Sequence, residues 1–378
     1  MDKEIIKTID ERIKIIKEKF SMEFGYKDPN SIEEIRLFEP EEDLYNDSFD
    51  VDAFLNYTEN IQELVKIDET SVRCGRFRQT IVYEDDSFVK CYPSLIVGDC
   101  KLSIVYQPFF VGIISFLEGY DSDHPYSFYT AVELEYIGEN RMTEEEETIL
   151  IKRYLYDVSS KLGYSVSIAT FHNWLDFSKE DESFSKYKNQ VLRIDSIPPY
   201  TKAMDYYISA LSTSDDAIRF LMYYKVIEYF YQRVLMKEYY EKCIEAKNFD
   251  EFEFLNHKEF FKSGEEIIPK TILRNCIESN EMVSLYGLLP EKIQKDLKKY
   301  NKLKKDESII GKLNEIKNGI SSILYSTRNS IVHAKTNYKP KGNECPEEDM
   351  EELNEFMDKL CQCIFAWNGR QAENYRLK

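Results

Sequence analysis

The change of texture at Ile197-Pro198-Pro199 constrains this chain more than any other feature of its sequence. Each proline lacks an amide donor and has a locked φ, so neither a helix nor a central strand runs through the pair. Before it, from about Val72 to Ile137, short Val, Ile, Tyr and Phe runs alternate with turn residues; after it, apolar residues recur at helical steps. Two domains of different class are expected, 1–198 and 199–378, and a chain of 378 residues exceeds what one core usually organises. The expected fold class is α+β: an N-terminal mixed α/β domain with a mainly antiparallel sheet, followed by an all-α helical bundle.

In the front half, Ile5, Ile9, Ile13, Ile16 and Phe20 step by three or four and predict an amphipathic helix over 2–20. A second short helix is expected over Phe54 to Val65. Strands are expected at Gln79 to Tyr83, Phe88 to Tyr92, Leu102 to Tyr106, Phe109 to Phe116 and Phe128 to Tyr136, with turns at 84–87 and 97–99. Thr143 with Glu146 forms a capping box that opens a helix from Glu144 to Leu162, so the acidic run 144–147 is assigned to the helix dipole rather than to a metal. Ser165 to Thr170 returns as a strand. In the back half, helices are expected at 204–211, from Ser214-Asp215-Asp216 to about Tyr240, and at 267–277, 291–300, 309–327 onward and 347–367.

Charge separates the two halves. Of the net −19, residues 1–199 carry −18 and residues 200–378 carry −1. An acidic front domain is a poor general surface for phosphates, whereas a near-neutral back domain can present a local basic groove. The eight cysteines include no C-x-x-C pair and there are only four histidines, so no metal site and no cofactor are expected. The longest apolar run, Phe109 to Leu117, is nine residues, well under the roughly 20 a spanning helix needs. The charged first twenty residues do not read as a secretory leader, so a cytoplasmic, membrane-free location is expected.

Two segments of the back half carry chemistry-bearing residues: Ile218 to Phe230, and Leu324 to His333 with Arg328, Asn329 and His333. Metal-free RNA cleavage needs a base for the ribose 2′-hydroxyl, an acid for the leaving 5′-oxygen and positive charge for the phosphate oxygens. Histidine titrates near neutrality and arginine offers a planar two-pronged donor, so His333 suits proton transfer and Arg328 suits the phosphate. On a straight helix Arg328 and His333 point about 140° apart, while Asn329 and His333 share a face. One copy therefore does not aim both side chains at one phosphate; a two-fold dimer would bring two sets together.

Leu324 to His333 resembles the Arg-Asn-x-x-x-His signature of the HEPN superfamily, and Ile218 to Phe230, with its central Ile227-Glu228, resembles the aromatic helix preceding it in Apea-like HEPN domains. The resemblance covers roughly 200–370 and leaves the first half untouched. It implies a HEPN-like bundle, a metal-independent endoribonuclease with a composite site at a homodimer interface, and a setting in prokaryotic anti-phage defence such as abortive infection. Arg328, Asn329 and His333 are then the catalytic candidates, with Asn329 orienting. Glu228, orienting Arg328, and Lys335, touching RNA backbone, are supporting candidates. In HEPN toxins paired with a nucleotidyltransferase the histidine is typically followed by x-Tyr, whereas Ala334-Lys335 follows here, which argues against that pairing. The acidic front domain is expected to sense or regulate, through an unidentified ligand or protein.

Competing readings stand beside these. Arg328 can pair locally while His333 sits satisfied in a non-catalytic dimerisation or partner-binding bundle; Glu228 can be merely half-exposed and Lys335 merely solvated. Tyr223, Tyr224, Tyr229 and Phe230 are expected in the core rather than as stacking platforms.

Overall fold

A computed structural model describes the chain except for residues 1–2, 23, 26–33, 38–47, 85–93, 120–128, 164, 172–197, 246–263, 301–311, 334–341, 374–375 and 377–378. Two compact units result, Met1–Ile151 with Val166–Asp195, and Lys152–Ser165 with Ser196–Lys378. The division expected at 198/199 differs from this in one helix. That helix, Glu144–Leu162, starts in the first unit and continues into the second.

The first unit opens with α1 (Lys3–Phe20), which buries Ile9, Ile16 and Phe20. Three short strands, β1 (Phe24–Gly25), β2 (Glu34–Leu37) and β3 (Ser48–Asp50), form a small antiparallel sheet. Asp50 then caps α2 (Val51–Thr58), its carboxylate accepting from Ala53 N at 2.8 Å. The helix expected over Phe54 to Val65 instead begins at Val51, where this cap places it, and ends at Thr58. A single 3-10 turn follows at Ile61–Glu63, and β4 (Val65–Asp68) begins where apolar and charged residues start to alternate.

The main sheet has seven strands, all antiparallel. Its order is β4, β5 (Ser71–Cys74), β6 (Phe77–Glu84), β9 (Thr130–Tyr136), β8 (Cys100–Tyr106) and β7 (Leu95–Val97). The long β6 pairs with β5 through Thr80, and beyond it with β10 (Val166–Ile168) from Val82 to Glu84. Gly98, at φ +56°, makes the expected turn between β7 and β8. The strand expected at 88–92 lies outside the described residues.

Phe109 to Phe116, expected as a strand, is a helix: α3 spans Phe109–Leu117. Phe109 to Ser115 are all buried, so the helix lacks the polar face that would reveal its period, and a short, wholly apolar run reads the same in either conformation. What fixes the helix is distant in sequence. The Gln79 side chain on β6 accepts from the free amides of Phe110 at 2.9 Å and Val111 at 3.2 Å. Gln79 Nε2 in turn donates to the buried Glu133 of β9 at 2.7 Å, and Tyr57 Oη donates to the other oxygen at 3.1 Å. Burial pushes the Glu133 carboxyl above its usual range.

The helix α4 (Glu144–Leu162) opens on the expected capping box: Thr143 N donates to Glu146 at 2.8 Å and Glu146 N to Thr143 Oγ1 at 3.3 Å. Glu147, assigned with its neighbours to the helix dipole, does more. Its buried carboxylate accepts from Arg73 at 2.5 and 3.1 Å, Arg78 at 3.0 Å and Tyr136 Oη at 2.7 Å, joining α4 to three strands.

Every element described in the second unit is helical: the remainder of α4, α5 (Ala203–Leu211), α6 (Asp216–Glu245), α7 (Ile267–Cys276), α8 (Ser279–Tyr286), α9 (Glu291–Tyr300), α10 (Leu313–Val332) and α11 (Met350–Arg370), besides short 3-10 turns. α6 is the central helix, packing on α5, α7, α10 and α11. Rings from four helices meet in the core: Tyr156 lies 4.7 Å from Phe365 and 5.2 Å from Tyr207, and Phe230 lies 5.6 Å from Phe365, measured between centroids. Among the described residues no helix is long and apolar enough to cross a membrane.

Candidate functional site

Asp215 starts α6 by accepting from Ile218 N at 2.9 Å, and the helix then turns one apolar face to the core. Phe220, Tyr223, Tyr224, Val226, Ile227 and Phe230 are each at most 2% exposed. Glu228 falls at the edge of that surface and is half-buried. Tyr229, expected in the core, also lies at the edge.

α10, which packs chiefly on α7 and also meets α6, buries Ile316, Ile320, Leu324 and Thr327 in steps of three and four. Arg328 is the next residue. Its guanidinium, 19% exposed, lies 3.5 Å from Glu228 Oε1 and 3.2 Å from Glu265 Oε2. A third interaction runs along α10 itself, from Arg328 Nη1 to Asn329 Oδ1 at 3.0 Å. The guanidinium carbon sits 6.0 Å from the centre of the Tyr224 ring, at the outer limit of a cation–π contact. The Tyr224 hydroxyl is buried with no hydrogen-bond partner among the described residues, and burial raises its pKa above the ordinary tyrosine value. Burial likewise raises the Glu228 carboxyl, against the opposing charge of Arg328.

His333 caps the C-terminus of α10, its amide donating to the Asn329 carbonyl at 3.0 Å, and its side chain is exposed. The structure thus brings Arg328, Asn329 and Glu228 together and leaves His333 one turn further along, at the helix end. Lys335 lies outside the described residues.

Two features of the site were not read from the sequence. Glu265, just before α7, belongs to no periodic pattern, and only tertiary structure brings it to Arg328. The other is a cleft of about 660 Å³ between α5 and α6, lined by Tyr206 from α5 and by Lys225, Glu228, Tyr229, Gln232, Arg233 and the apolar Met236 from α6. These α6 positions recur at steps of three and four along one side of the helix, beside its buried face. Glu228 belongs to both places: it lines the cleft and pairs with Arg328.

Chemically, the arrangement holds a guanidinium by one partly buried carboxylate and one that is 61% exposed. The exposed Glu265 is the partner an incoming anion can displace at little cost, because exposed ion pairs contribute roughly 0–1 kcal/mol. Among the described residues no three His, Cys, Asp or Glu side chains gather in a way that could hold a metal ion. Comparison of the chain with protein-family models, with curated proteins and with solved structures finds no match.

Proposed function

We propose that the second unit is a metal-independent endoribonuclease of HEPN type. In this reading the ribose 2′-oxygen attacks the adjacent phosphorus, leaving 2′,3′-cyclic phosphate and 5′-hydroxyl ends. The observation that carries it is the grouping at the end of α10: Arg328, ordered by Glu228 and Asn329, with the exposed imidazole of His333 one turn on. Arg328 supplies charge to the phosphate oxygens, His333 moves protons, and Asn329 and Glu228 position the guanidinium. The divergence of Arg328 and His333 on one helix makes a homodimer with a composite site part of the proposal. The acidic first unit is its sensor or regulator, and a cytoplasmic effector of prokaryotic anti-phage defence, acting by abortive infection, is the setting that fits the resemblance.

One observation favours a second reading, a non-catalytic dimerisation or partner-binding bundle. Arg328 already has two carboxylate partners, which is what a purely structural ion cluster would show. The variants Arg328→Ala, His333→Ala and Glu265→Ala, assayed on RNA in EDTA with end-group analysis, separate the two. The nuclease reading expects the first two to lose cleavage by a hundredfold or more, the general range for such groups. It expects Glu265→Ala to cut at least as well as the wild-type protein. Wild-type protein that cuts no RNA under any activating condition, or 3′-hydroxyl ends, would overturn the nuclease reading.

A further inference from the structure

The cleft between α5 and α6 combines two side-chain chemistries in one concavity. Lys225 and Arg233 bring positive charge, and Tyr206 and Tyr229 bring aromatic rings. Lys225 Nζ stands 5.6 Å from the centre of the Tyr206 ring, which sets a cation beside an aromatic surface. Gln232, between them along α6, adds a side chain that both donates and accepts. Lys225 and Arg233 are eight residues apart, about 12 Å along the helix axis, so they would touch different phosphates of an extended chain.

Among the described residues that line the cleft, Glu228 is the one carboxylate, and Arg328 partly neutralises it. A local cationic, aromatic groove on a chain of net charge −19 needs a specific occupant, because the molecule as a whole repels polyanions. Flexible single strands meet the requirement: their bases offer a π-face to tyrosine and their phosphates offer charge to lysine and arginine. A folded duplex hides its bases and would leave the rings unused.

We infer that this cleft is a single-stranded RNA subsite, which holds a base and the phosphates beside it and delivers the strand past Glu228 toward Arg328. The inference takes its ligand class from the nuclease reading above; the cleft adjoins the Arg328, Asn329 and His333 grouping and meets it at Glu228, while Tyr206, Lys225 and Arg233 stand outside that grouping. Tyr206 and Tyr229 stack the base; Lys225 and Arg233 hold backbone. Arg233 also donates to the Arg376 carbonyl at 3.1 Å, so its side chain is already held in place at the cleft, and Lys225, which is exposed, is the cleaner site to alter.

The test uses the full chain and a fluorescent oligonucleotide of 2′-O-methyl RNA, which cannot be cut by attack of the 2′-oxygen. Anisotropy titrations across a salt series give Kd and its salt slope. Lys225→Gln is expected to weaken binding and to flatten the slope of log Kd against log salt by about 0.7, the signature of one fewer phosphate of a single strand being neutralised. Tyr206→Ala is expected to raise Kd about tenfold with the slope unchanged, as removal of one stacking platform does. Wild-type protein that fails to bind, or variants that bind as the wild type does, would overturn the subsite. So would a free mononucleotide that displaces the oligonucleotide at equal base concentration, since the cleft would then hold a nucleotide and not a strand. Failure of the nuclease reading looks different: the oligonucleotide binds through Lys225 and Tyr206, yet natural RNA is never cut. Cleavage whose KM is unaffected by either variant sinks the subsite and leaves the nuclease.

Discussion

Replacing Glu147 by Gln tests whether one buried carboxylate joins α4 to the sheet. Its side chain is 1% exposed, and its two oxygens take four hydrogen bonds, two from Arg73 and one each from Arg78 and Tyr136. Removing one partner of a buried ion pair costs roughly 3–5 kcal/mol, because the remaining charge stays buried and unmatched. Arg78, 4% exposed, meets that condition, whereas Arg73, at 26%, recovers part of its loss from water, so the lower end applies, about 3 kcal/mol. For a unit of this size that corresponds to a fall of roughly 6–12 °C in melting temperature. Hydrogen exchange of the β6 amides, read by mass spectrometry, reports the first unit by itself, and Glu144→Gln, at an exposed position of the same helix start, is the control. The pH dependence is a second reading. Burial works to raise the Glu147 pKa, but the bonds from Arg73, Tyr136 and Arg78 outweigh it and hold the carboxyl below its ordinary value of 4.5. The stabilisation is therefore complete above that value and is lost as the pH falls through the folded-state pKa, so the deficit of the variant shrinks in acid. A deficit under about 1 kcal/mol, or one equal to that of Glu144→Gln, would refute the reasoning.

Glu133 titrates in the opposite sense: burial raises its pKa, so the folded unit holds its proton longer than the unfolded chain and loses stability as the pH rises above 4.5. Glu133→Gln should remove that decline in urea midpoints measured from acid to neutral pH, and a neutral-pH loss above about 1 kcal/mol would contradict it. Tyr224→Phe removes a buried hydroxyl that lacks a partner among the described residues, and should stabilise the second unit by about 1 kcal/mol in denaturant titrations. A fall in stability would show that a bound water satisfies the hydroxyl.

Local signals in the sequence translated directly into structure where they were periodic or capped. The Thr143 and Glu146 box placed the start of α4, and Asp215 the start of α6, because each cap is decided within one turn of chain. α3 was misread because its conformation is decided by Gln79, some thirty residues away. The strands β1 to β5 and β7 and the helix α8 were not anticipated; each is two to eight residues long, too short to complete a convincing repeat. At the candidate site, Arg328, Asn329 and His333 could be named from a contiguous segment. The ion pair between Glu228 and Arg328 was suggested by their placement on two helices, and the two side chains do meet. Glu265 and the cleft could not be found in this way, since they depend on which faces of α5, α6 and α7 meet.

The passage of α4 from one unit to the other bears on how this protein can be divided. No single break of the chain yields two intact halves. A fragment beginning at Ser196 lacks Tyr156, whose ring packs on Phe365 and Tyr207, and loses Ser160, whose carbonyl accepts from Gln362. A fragment ending at Ile151 forfeits β10, the strand that covers the second half of β6. The halves are interleaved in the order of their residues, so a fragment cut at either boundary lacks part of the unit it is meant to isolate.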